Sequence, residues 1–303
     1  KITSILIGLK LKGETKEEII GAAKVMREKS LKINSPQNTI DTCGTGGDMK
    51  DTLNISTSAA IVAASAGVTI AKHGNRSVSS KSGSADMLEK IGYKISSNLE
   101  ELENSLSKKN FCFLFAQNHH SAMKNVINVR KNLGTRTIFN LLGPLTNPAA
   151  ASKQLLGVYS KDLVSIHCNC LRDLGSEKAM VVHGLDGLDE VSLSDNTYIN
   201  ELKDNKVFEY IFDPRDYVMA KIYFQVQVMP DTILPTRTVP LRYVAFVLFQ
   251  RIVKGNEYAG MLLRAPSRGV GYHPKFYVLY YQVVKRQKVD SDEVQVPSPG
   301  VPS

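Results

Sequence analysis

Residues 41–60 read DTCGTGGDMKDTLNISTSAA, a run in which glycine and small hydrogen-bonding side chains lie between two apolar segments. The TIDT at residues 39–42 predicts a short strand that leads into the glycine loop. After the loop, residues 55–67 predict a helix of small residues that ends at Gly67, and residues 68–72 predict the next buried strand. Strand, loop, helix and strand in this order indicate a βαβ unit, and therefore a parallel sheet.

The glycines of this loop favour an anion-binding site. Glycine lets backbone N–H groups approach an anion because no Cβ stands in the way, and a helix N-terminus adds partial positive charge. The side chains of Asn54, Ser56 and Thr57 can bind phosphate oxygens or cap the helix, and both interpretations stay open. The run lacks the Gly-Lys-Ser/Thr of a P-loop and the spacing of G-x-G-x-x-G, so its glycines alone do not define a nucleotide site.

A second polar loop, KHGNRSVSSKSGSADMLE at residues 72–89, directly follows the second predicted strand. Lys72 and Arg76 supply positive charge, while Asn75 and several serines supply hydrogen-bond donors. A flexible linker is the alternative, although linkers rarely carry such a charged motif between a strand and a helix. Loops at the ends of adjacent parallel strands form one crevice, which predicts a ligand with phosphate groups at two ends.

The acidic turn HGLDGLDE, residues 183–190, follows a third predicted strand. Its adjacent carboxylates, Asp189 and Glu190, are ligands that suit Mg²⁺, which binds one or two carboxylates together with substrate phosphates. A solvated acidic turn on the surface is the alternative.

Composition and charge narrow the function classes. The 303-residue chain carries a net charge of +9, which favours an anionic ligand without separating nucleotide, sugar phosphate and nucleic acid. Its apolar runs are too short for a membrane span. The scattered cysteines, Cys43, Cys112, Cys168 and Cys170, have no zinc spacing and predict reduced buried thiols in a cytoplasmic protein. The adjacent histidines at residues 119–120 are expected to be caps or surface residues.

Together these loops resemble the anthranilate phosphoribosyltransferases of tryptophan biosynthesis. The matching motifs are GTGGD at 44–48, NIST at 54–57, KHGNRSVSSKSGSAD at 72–86, VRKNLGTRTIFNLLGPLTNPA at 129–149 and GLDGLDE at 184–190. Members of this family join anthranilate to 5-phosphoribosyl 1-pyrophosphate (PRPP) and release pyrophosphate. The resemblance extends from about residue 5 to about residue 216.

The resemblance assigns expected roles to single positions. The expected PRPP contacts are Gly44, Gly47, Asp48, Thr52, Asn54, Ile55, Ser56, Thr57, Lys72, His73, Gly74, Asn75, Arg76, Ser77, Val78, Ser79, Ser80 and Ser84. The expected anthranilate contacts are Gly44, Asn75, Arg130 and Pro144. The expected Mg²⁺ ligands are Ser56, Asp189 and Glu190. No catalytic acid or base is assigned, and His73 is the one candidate.

The fold implied by the resemblance is α/β, with a small α-helical domain beside a large α/β domain whose central sheet is mostly parallel and flanked by helices. Residues 1–35 are expected to be part of the small domain, with helices within residues 99–133 packing against it. Because the family begins with more helices, we expect the chain to start inside that domain. Residues 36–217 form the expected PRPP-binding domain. Residues 218–303 continue it with an atypical sequence and an end expected to be disordered.

The expected partners are the two small-molecule substrates and a second copy of the chain in a homodimer. A nucleoside phosphorylase of the same architecture is one alternative, but that class would not need the adjacent Asp189 and Glu190. A nucleic-acid-binding relative without transferase activity is the other alternative, motivated by the +9 charge. Such a relative should have degraded PRPP loops, and here the motifs are intact.

Overall fold

The computed structural model describes residues 1–48, 50, 54–76 and 83–216. These residues form an α/β fold around a seven-stranded sheet with the strand order β3-β2-β1-β4-β5-β6-β7. The strands are β1 (Ile40–Gly44), β2 (Ile70–Gly74), β3 (Phe111–Phe115), β4 (Lys153–Gly157), β5 (Lys178–Gly184), β6 (Thr197–Lys203) and β7 (Lys206–Phe212). The first five run parallel, and β6 runs antiparallel to both of its neighbours, β5 and β7. The predicted α/β class with a mostly parallel sheet is confirmed.

Helices flank this sheet on both faces. The α-helices in the described residues are α1 (Ile2–Lys12), α2 (Lys16–Glu28), α3 (Ile55–Ser65), α4 (Ser84–Lys90), α5 (Leu99–Lys109), α6 (Ala116–His119), α7 (Ile127–Leu133), α8 (Ile138–Leu142) and α9 (Asp162–Asp173). Three 3₁₀ turns cover Ser121–Asn125, Gly143–Leu145 and Pro214–Asp216. No described helix is long and apolar enough to cross a membrane.

The predicted βαβ unit is present as β1, α3 and β2. The small residues of α3 let it lie close to the sheet, where Ala60 and Ala63 are fully buried against β1 and β2. Gly67 ends this helix region with a φ of +87°, a left-handed conformation that glycine adopts without a steric cost. The second strand begins at Ile70, two residues later than the sequence predicts, because Val68 and Thr69 complete the connection.

The N-terminal helices pack on the opposite face of the sheet. Thr15 and Glu18 form a capping box that starts α2, because each side chain bonds a backbone N–H of the other residue. Ile19 and Ala23 of α2 are buried against α8 and α9 in a cluster that also includes Leu6 of α1. This cluster fixes α7 and α8, and with them the loops that lie above the strand ends.

Two local predictions have different outcomes. The run TYINELKDNKVFEYIF at residues 197–212 predicts a hairpin with its turn at Lys203–Lys206. This prediction is confirmed, since Asp204 and Asn205 join the antiparallel pair β6 and β7 with φ angles of 52° and 57°, as a type I′ turn requires. The run HSAMKNVINVRKNLG at residues 120–134 predicts one long helix that ends at Gly134, and this prediction is wrong. A 3₁₀ turn ends before Val126, whose φ of −119° interrupts the helical path, and α7 begins afterwards. The atypical residues 218–303 lie outside the described residues.

Candidate active site at the carboxyl ends of the parallel strands

The candidate site lies at the carboxyl ends of β1, β2, β4 and β5. Strand order reverses between β1 and β4, because β2 and β3 extend the sheet on one side and β4 and β5 on the other. Such a switch point opens a crevice beyond the strand ends, which is where open α/β sheets bind ligands. The glycine loop follows β1 and the acidic turn follows β5, so both reach this crevice.

The glycine loop is shaped by left-handed backbone and by close packing. Gly46 and Gly47 have φ angles of +65° and +82°, which explains why glycine occupies both positions. The Thr45 N–H donates to Gly157 O at 2.9 Å and so ties the loop to the end of β4. A Cβ on Gly44 would lie 3.2 Å from Asp189 Oδ2, so the missing side chain lets the acidic turn approach the loop.

The start of α3 shows which side chain of the NIST run caps the helix. The Asn54 side chain accepts from the Thr57 N–H at 3.1 Å and caps the helix. Thr57 Oγ1 donates to Ser84 Oγ at 3.0 Å, which links the starts of α3 and α4. The side chain of Ile55 is buried in an apolar cluster, so only its backbone is available to a ligand. Capping therefore accounts for Asn54, while the Ser56 hydroxyl contacts Lys72.

Ser56 belongs to a cluster with the buried Lys72 and the half-buried Glu190. Lys72 is 1% exposed, and its Nζ donates to Thr42 O and, at 3.2 Å, to Ser56 Oγ. Burial lowers the pKa of Lys72, although the neighbouring carboxyl groups of Asp41 and Glu190 oppose the shift. Burial and the neighbouring Asp189 raise the pKa of Glu190 to about 8, against the attraction of Lys72 and a hydrogen bond from the Ser56 backbone.

Asp189 faces Asp48 of the glycine loop. Burial raises the pKa of Asp189, and the charge of Asp48 and a hydrogen bond shared with it raise it further. Asp48 Oδ2 is itself buried, and among the residues that the structure describes it has no hydrogen-bond partner. Three carboxyl groups and the Ser56 hydroxyl therefore lie near one another, and the positive charge of Lys72 acts on Glu190. The sequence assigned Asp48 to PRPP alone and missed its place beside Asp189.

This donor set fits a divalent cation. Hard oxygen ligands with an excess of negative charge are what Mg²⁺ requires, and the unpartnered Asp48 oxygen is one more donor. Within the described ranges, no three His, Cys, Asp or Glu side chains surround a common point closely enough to hold a metal by themselves. The residues thus fit Mg²⁺ bound jointly with phosphate oxygens and water, which is the usual arrangement for this ion.

The second loop is partly committed to internal contacts. The Arg76 guanidinium bonds both oxygens of Glu89 at 2.7 Å and Asp86 Oδ1 at 3.1 Å, so its charge is already paired. A Cβ on Gly74 would lie 2.9 Å from Phe113, which leaves room only for glycine. The predicted PRPP contacts that lie outside the described residues are Thr52, Ser77, Val78, Ser79 and Ser80.

The histidines correct one sequence expectation. Residues 119–120 are not surface histidines, because His119 is 1% and His120 4% exposed. His120 Nε2 lies 3.2 Å from His73 Nε2, and His73 Nδ1 lies 3.1 Å from Gly143 O. Since the carbonyl can only accept, a neutral His73 carries its proton on Nδ1 and accepts from His120 through Nε2. Burial lowers the pKa of His73 to about 3, which keeps the ring neutral.

The predicted anthranilate residues are brought together in part. Pro144 is buried, follows Gly143 and therefore lies beside His73. The Arg130 guanidinium carbon lies 5.4 Å from the centre of the Phe139 ring, and burial lowers the pKa of Arg130. In the described part of the chain, no hydrogen bond joins Arg130 to Gly44 or Asn75. Its role toward anthranilate stays a prediction.

Without a divalent cation, the free energy of unfolding should fall as the pH rises from about 4.5 to about 8. Glu190 has a raised folded-state pKa, so in this window the folded protein retains a proton that the unfolded chain has released. Each pKa unit corresponds to about 1.4 kcal/mol, which makes the loss a few kcal/mol. Denaturant unfolding at pH 5 and pH 8 in the presence of a chelator measures it.

The variant Glu190→Gln should flatten this pH dependence, since glutamine has no proton to release. The matched control is Glu28→Gln, which changes an exposed glutamate on α2 and should unfold like the parent. An unchanged slope in Glu190→Gln would mean that Glu190 is ionised at low cost in the folded protein.

Comparisons with known proteins agree on one family. Residues 36–229 match the model of the glycosyl transferase family α/β domain, and residues 1–30 match the helical bundle domain of the same family. An anthranilate phosphoribosyltransferase of a Thermoanaerobacter species is 55% identical over 217 residues, which cover 71% of this chain and 64% of that protein. The Bordetella pertussis enzyme of the same name is 54% identical over 220 residues, 72% of this chain and 64% of that protein. The chain thus spans less than two thirds of the length of these relatives.

Solved structures give the same result. An anthranilate phosphoribosyltransferase from Thermus thermophilus is 37% identical, with a TM-score of 0.67 over 85% of this chain and 74% of that one. The Saccharomyces cerevisiae enzyme, solved in complex with PRPP and Mg, is 29% identical, with a TM-score of 0.69 over 84% of this chain and 76% of that one. The sheet and the loops described above therefore belong to an architecture that occurs with PRPP bound.

Proposed function

The chain belongs to the glycosyl transferase family whose α/β and helical-bundle domains match it, and from this premise we propose that the protein transfers the phosphoribosyl group of PRPP to the amine of anthranilate. The observation that carries the proposal is the meeting of the glycine loop, Lys72 and the half-buried carboxyl groups of Asp189 and Glu190 at the sheet's switch point. Relatives named for this reaction support it.

In the proposed reaction, the anthranilate nitrogen forms a bond to the anomeric carbon of the ribose. The bond from that carbon to pyrophosphate breaks, and its electron pair leaves with the pyrophosphate oxygen. The amine then loses one proton to solvent. Most of the barrier comes from the negative charge that develops on the leaving group, so preorganised positive charge and N–H dipoles are the groups that lower it.

On the PRPP side, the chain's own groups bind and orient the pyrophosphate. The start of α3 carries partial positive charge, and its N–H groups, with those of the loop around Gly47, would bind the pyrophosphate. Ser56, Asp189 and Glu190 would hold Mg²⁺, with Asp48 beside them. When bound, this ion neutralises phosphate charge and polarises the bond to the leaving group. The other PRPP contacts expected from the resemblance remain proposals.

On the acceptor side, Arg130 would bind the anthranilate carboxylate, with Pro144, Asn75 and Gly44 lining the pocket. A guanidinium can bind a carboxylate through two parallel hydrogen bonds. An aromatic amine is neutral at pH 7 and needs no strong base before it attacks. The lowered pKa of His73 agrees with this, because a ring held neutral by burial attracts a proton only weakly.

Arg130→Ala should raise the KM for anthranilate about 10- to 100-fold, because a charge-assisted pair of hydrogen bonds is lost. The KM for PRPP should change less than about twofold, since Arg130 is expected to contact anthranilate and not PRPP. Steady-state kinetics with each substrate varied in turn measures both values. Lys131→Ala, which removes the neighbouring exposed cation of α7, is the matched control. Equal losses for both substrates would contradict the assigned role.

The function itself is tested by following anthranilate fluorescence with PRPP present, before and after chelation of Mg²⁺. Loss of signal that requires both PRPP and Mg²⁺ is the expected result. No loss, together with retained PRPP binding, would mean that this chain binds the donor without completing the transfer. No PRPP binding, together with salt-dependent DNA binding, would favour the nucleic-acid alternative.

The remaining assignments are proposals of the same kind. We propose that residues 1–35 contribute to a small helical domain, that residues 36–217 form the PRPP-binding domain, and that the protein acts as a cytoplasmic homodimer. Support for the dimer comes from α1, whose Ile5 is 62% and Leu11 82% exposed. Light scattering should give twice the mass of one chain. A monomer at high protein concentration would contradict the proposed dimer.

A further inference from the structure

Arg136 lies in the turn between α7 and α8 and contacts two other segments of the candidate site. Its Nη2 donates a hydrogen bond to Gly47 O in the glycine loop. Its guanidinium carbon lies 3.9 Å from the centre of the Tyr159 ring, just beyond the end of β4. The resemblance assigned no role to Arg136, and its side chain is exposed.

These contacts hold the glycine loop from two sides. A Cβ on Gly47 would lie 3.2 Å from Arg136 Nη2, so the guanidinium rests directly against this glycine. On the other side, the Tyr159 N–H donates to Thr45 Oγ1 at 3.1 Å. The loop is therefore held from β4 by Thr45 and from the α7–α8 turn by Arg136, with the Tyr159 ring between the two.

The position of Gly47 determines where the next side chain points. Asp48 follows directly, and its carboxyl interacts with Asp189 in the carboxylate cluster. The α7–α8 turn is itself anchored, because Lys10 of α1 donates from Nζ to Thr135 Oγ1. A fixed turn that bonds Gly47 O thus restricts the approach of the Asp48 carboxylate to Asp189.

We propose that Arg136 is a positioning residue that holds the glycine loop, and through it Asp48, in the arrangement that receives the Mg²⁺-pyrophosphate group of the donor. This inference rests on the proposed function for the identity of the ligand. Arginine suits the task because its planar group can stack on an aromatic ring and donate to a carbonyl at the same time. Lysine keeps the charge but cannot stack in this way, so it should not replace arginine here.

Amide hydrogen exchange of the substrate-free protein tests the positioning role directly. The reporters are the N–H groups of Thr45, bonded to Gly157 O, and Lys50, bonded to Asp48 Oδ1. In both Arg136→Ala and Arg136→Lys, these amides should exchange about tenfold faster than in the parent, as expected when a charge-assisted hydrogen bond is lost. The control Arg215→Ala, which breaks an exposed ion pair with Asp213, should exchange like the parent.

The kinetic readout separates positioning from direct contact with the substrate. Arg136→Ala and Arg136→Lys should each raise the Mg²⁺ concentration for half-maximal rate about tenfold, with the KM for anthranilate unchanged within about twofold. A parent-like Mg²⁺ dependence in Arg136→Lys would mean that Arg136 acts as a charge on the pyrophosphate. Parent-like amide exchange in both variants would mean that the loop does not need Arg136. Either result overturns the proposal. If the parent protein has no transferase activity, the proposed function fails while the exchange data still decide the role of Arg136.

Discussion

Glu190→Gln and Asp189→Asn should each lower kcat/KM for PRPP by about a thousandfold and remove the dependence of the rate on Mg²⁺. Each change takes away a charged oxygen ligand at the point where the leaving group acquires negative charge, and such interactions contribute several kcal/mol to the transition state. Steady-state rates over a Mg²⁺ titration measure the effect. Asp162→Asn, an exposed carboxylate at the start of α9, is the control.

A second measurement distinguishes this loss from misfolding. Because burial raises the pKa of both carboxyls, their ionisation opposes folding at pH 8 when no cation is present. The neutral variants should therefore be at least as stable as the parent protein under those conditions. A variant that loses activity and unfolds more easily at pH 8 would argue for a structural role. A parent rate that persists under chelation would remove the metal assignment altogether.

Gly157→Ala should destabilise the fold by about 3 kcal/mol or more and also abolish activity. A Cβ at this position would lie 1.7 Å from the backbone oxygen of Asp189, which is far inside van der Waals contact. The alanine must therefore push the acidic turn away from β4, at the cost typical of overpacking a rigid site. The free energy of unfolding from denaturant titration measures the first effect and the PRPP assay the second.

Gly21→Ala is the matched control. Gly21 lies inside α2, and a Cβ there meets nothing within 4 Å. Alanine in a helix interior should stabilise the protein by about 0.5–1 kcal/mol, because it loses less backbone entropy on folding. A Gly157→Ala protein as stable as its parent would mean that the Asp189 turn can shift without cost.

The sequence was sufficient to predict the fold class and the general location of the site. The resemblance to the family is confirmed, and the glycine loop and the Lys72 loop do follow adjacent strands. These features are predictable because glycines, capping residues and apolar runs determine the structure of the chain within about ten residues of themselves. The hairpin between β6 and β7 was predictable for the same reason.

The parts that could not be predicted depend on contacts between distant segments. His120 is buried because it meets His73, and nothing in the local sequence around His120 indicates that partner. The importance of Gly157 follows from the approach of the acidic turn, and the position of Arg136 follows from the packing of α8. These three features depend on the register of the assembled sheet, which a single sequence does not reveal.

The pairing of β1 with β4 has a consequence for how the protein is made. Cys43 and Gln154, whose side chains are bonded across this pair, are 111 positions apart in the chain. During synthesis from the N-terminus, one edge of β1 therefore stays unpaired until more than about a hundred further residues have left the ribosome. Such an edge invites pairing with other chains until β4 arrives. The ligand crevice is completed only at that late stage, so a ligand that binds there stabilises finished chains and not incomplete ones.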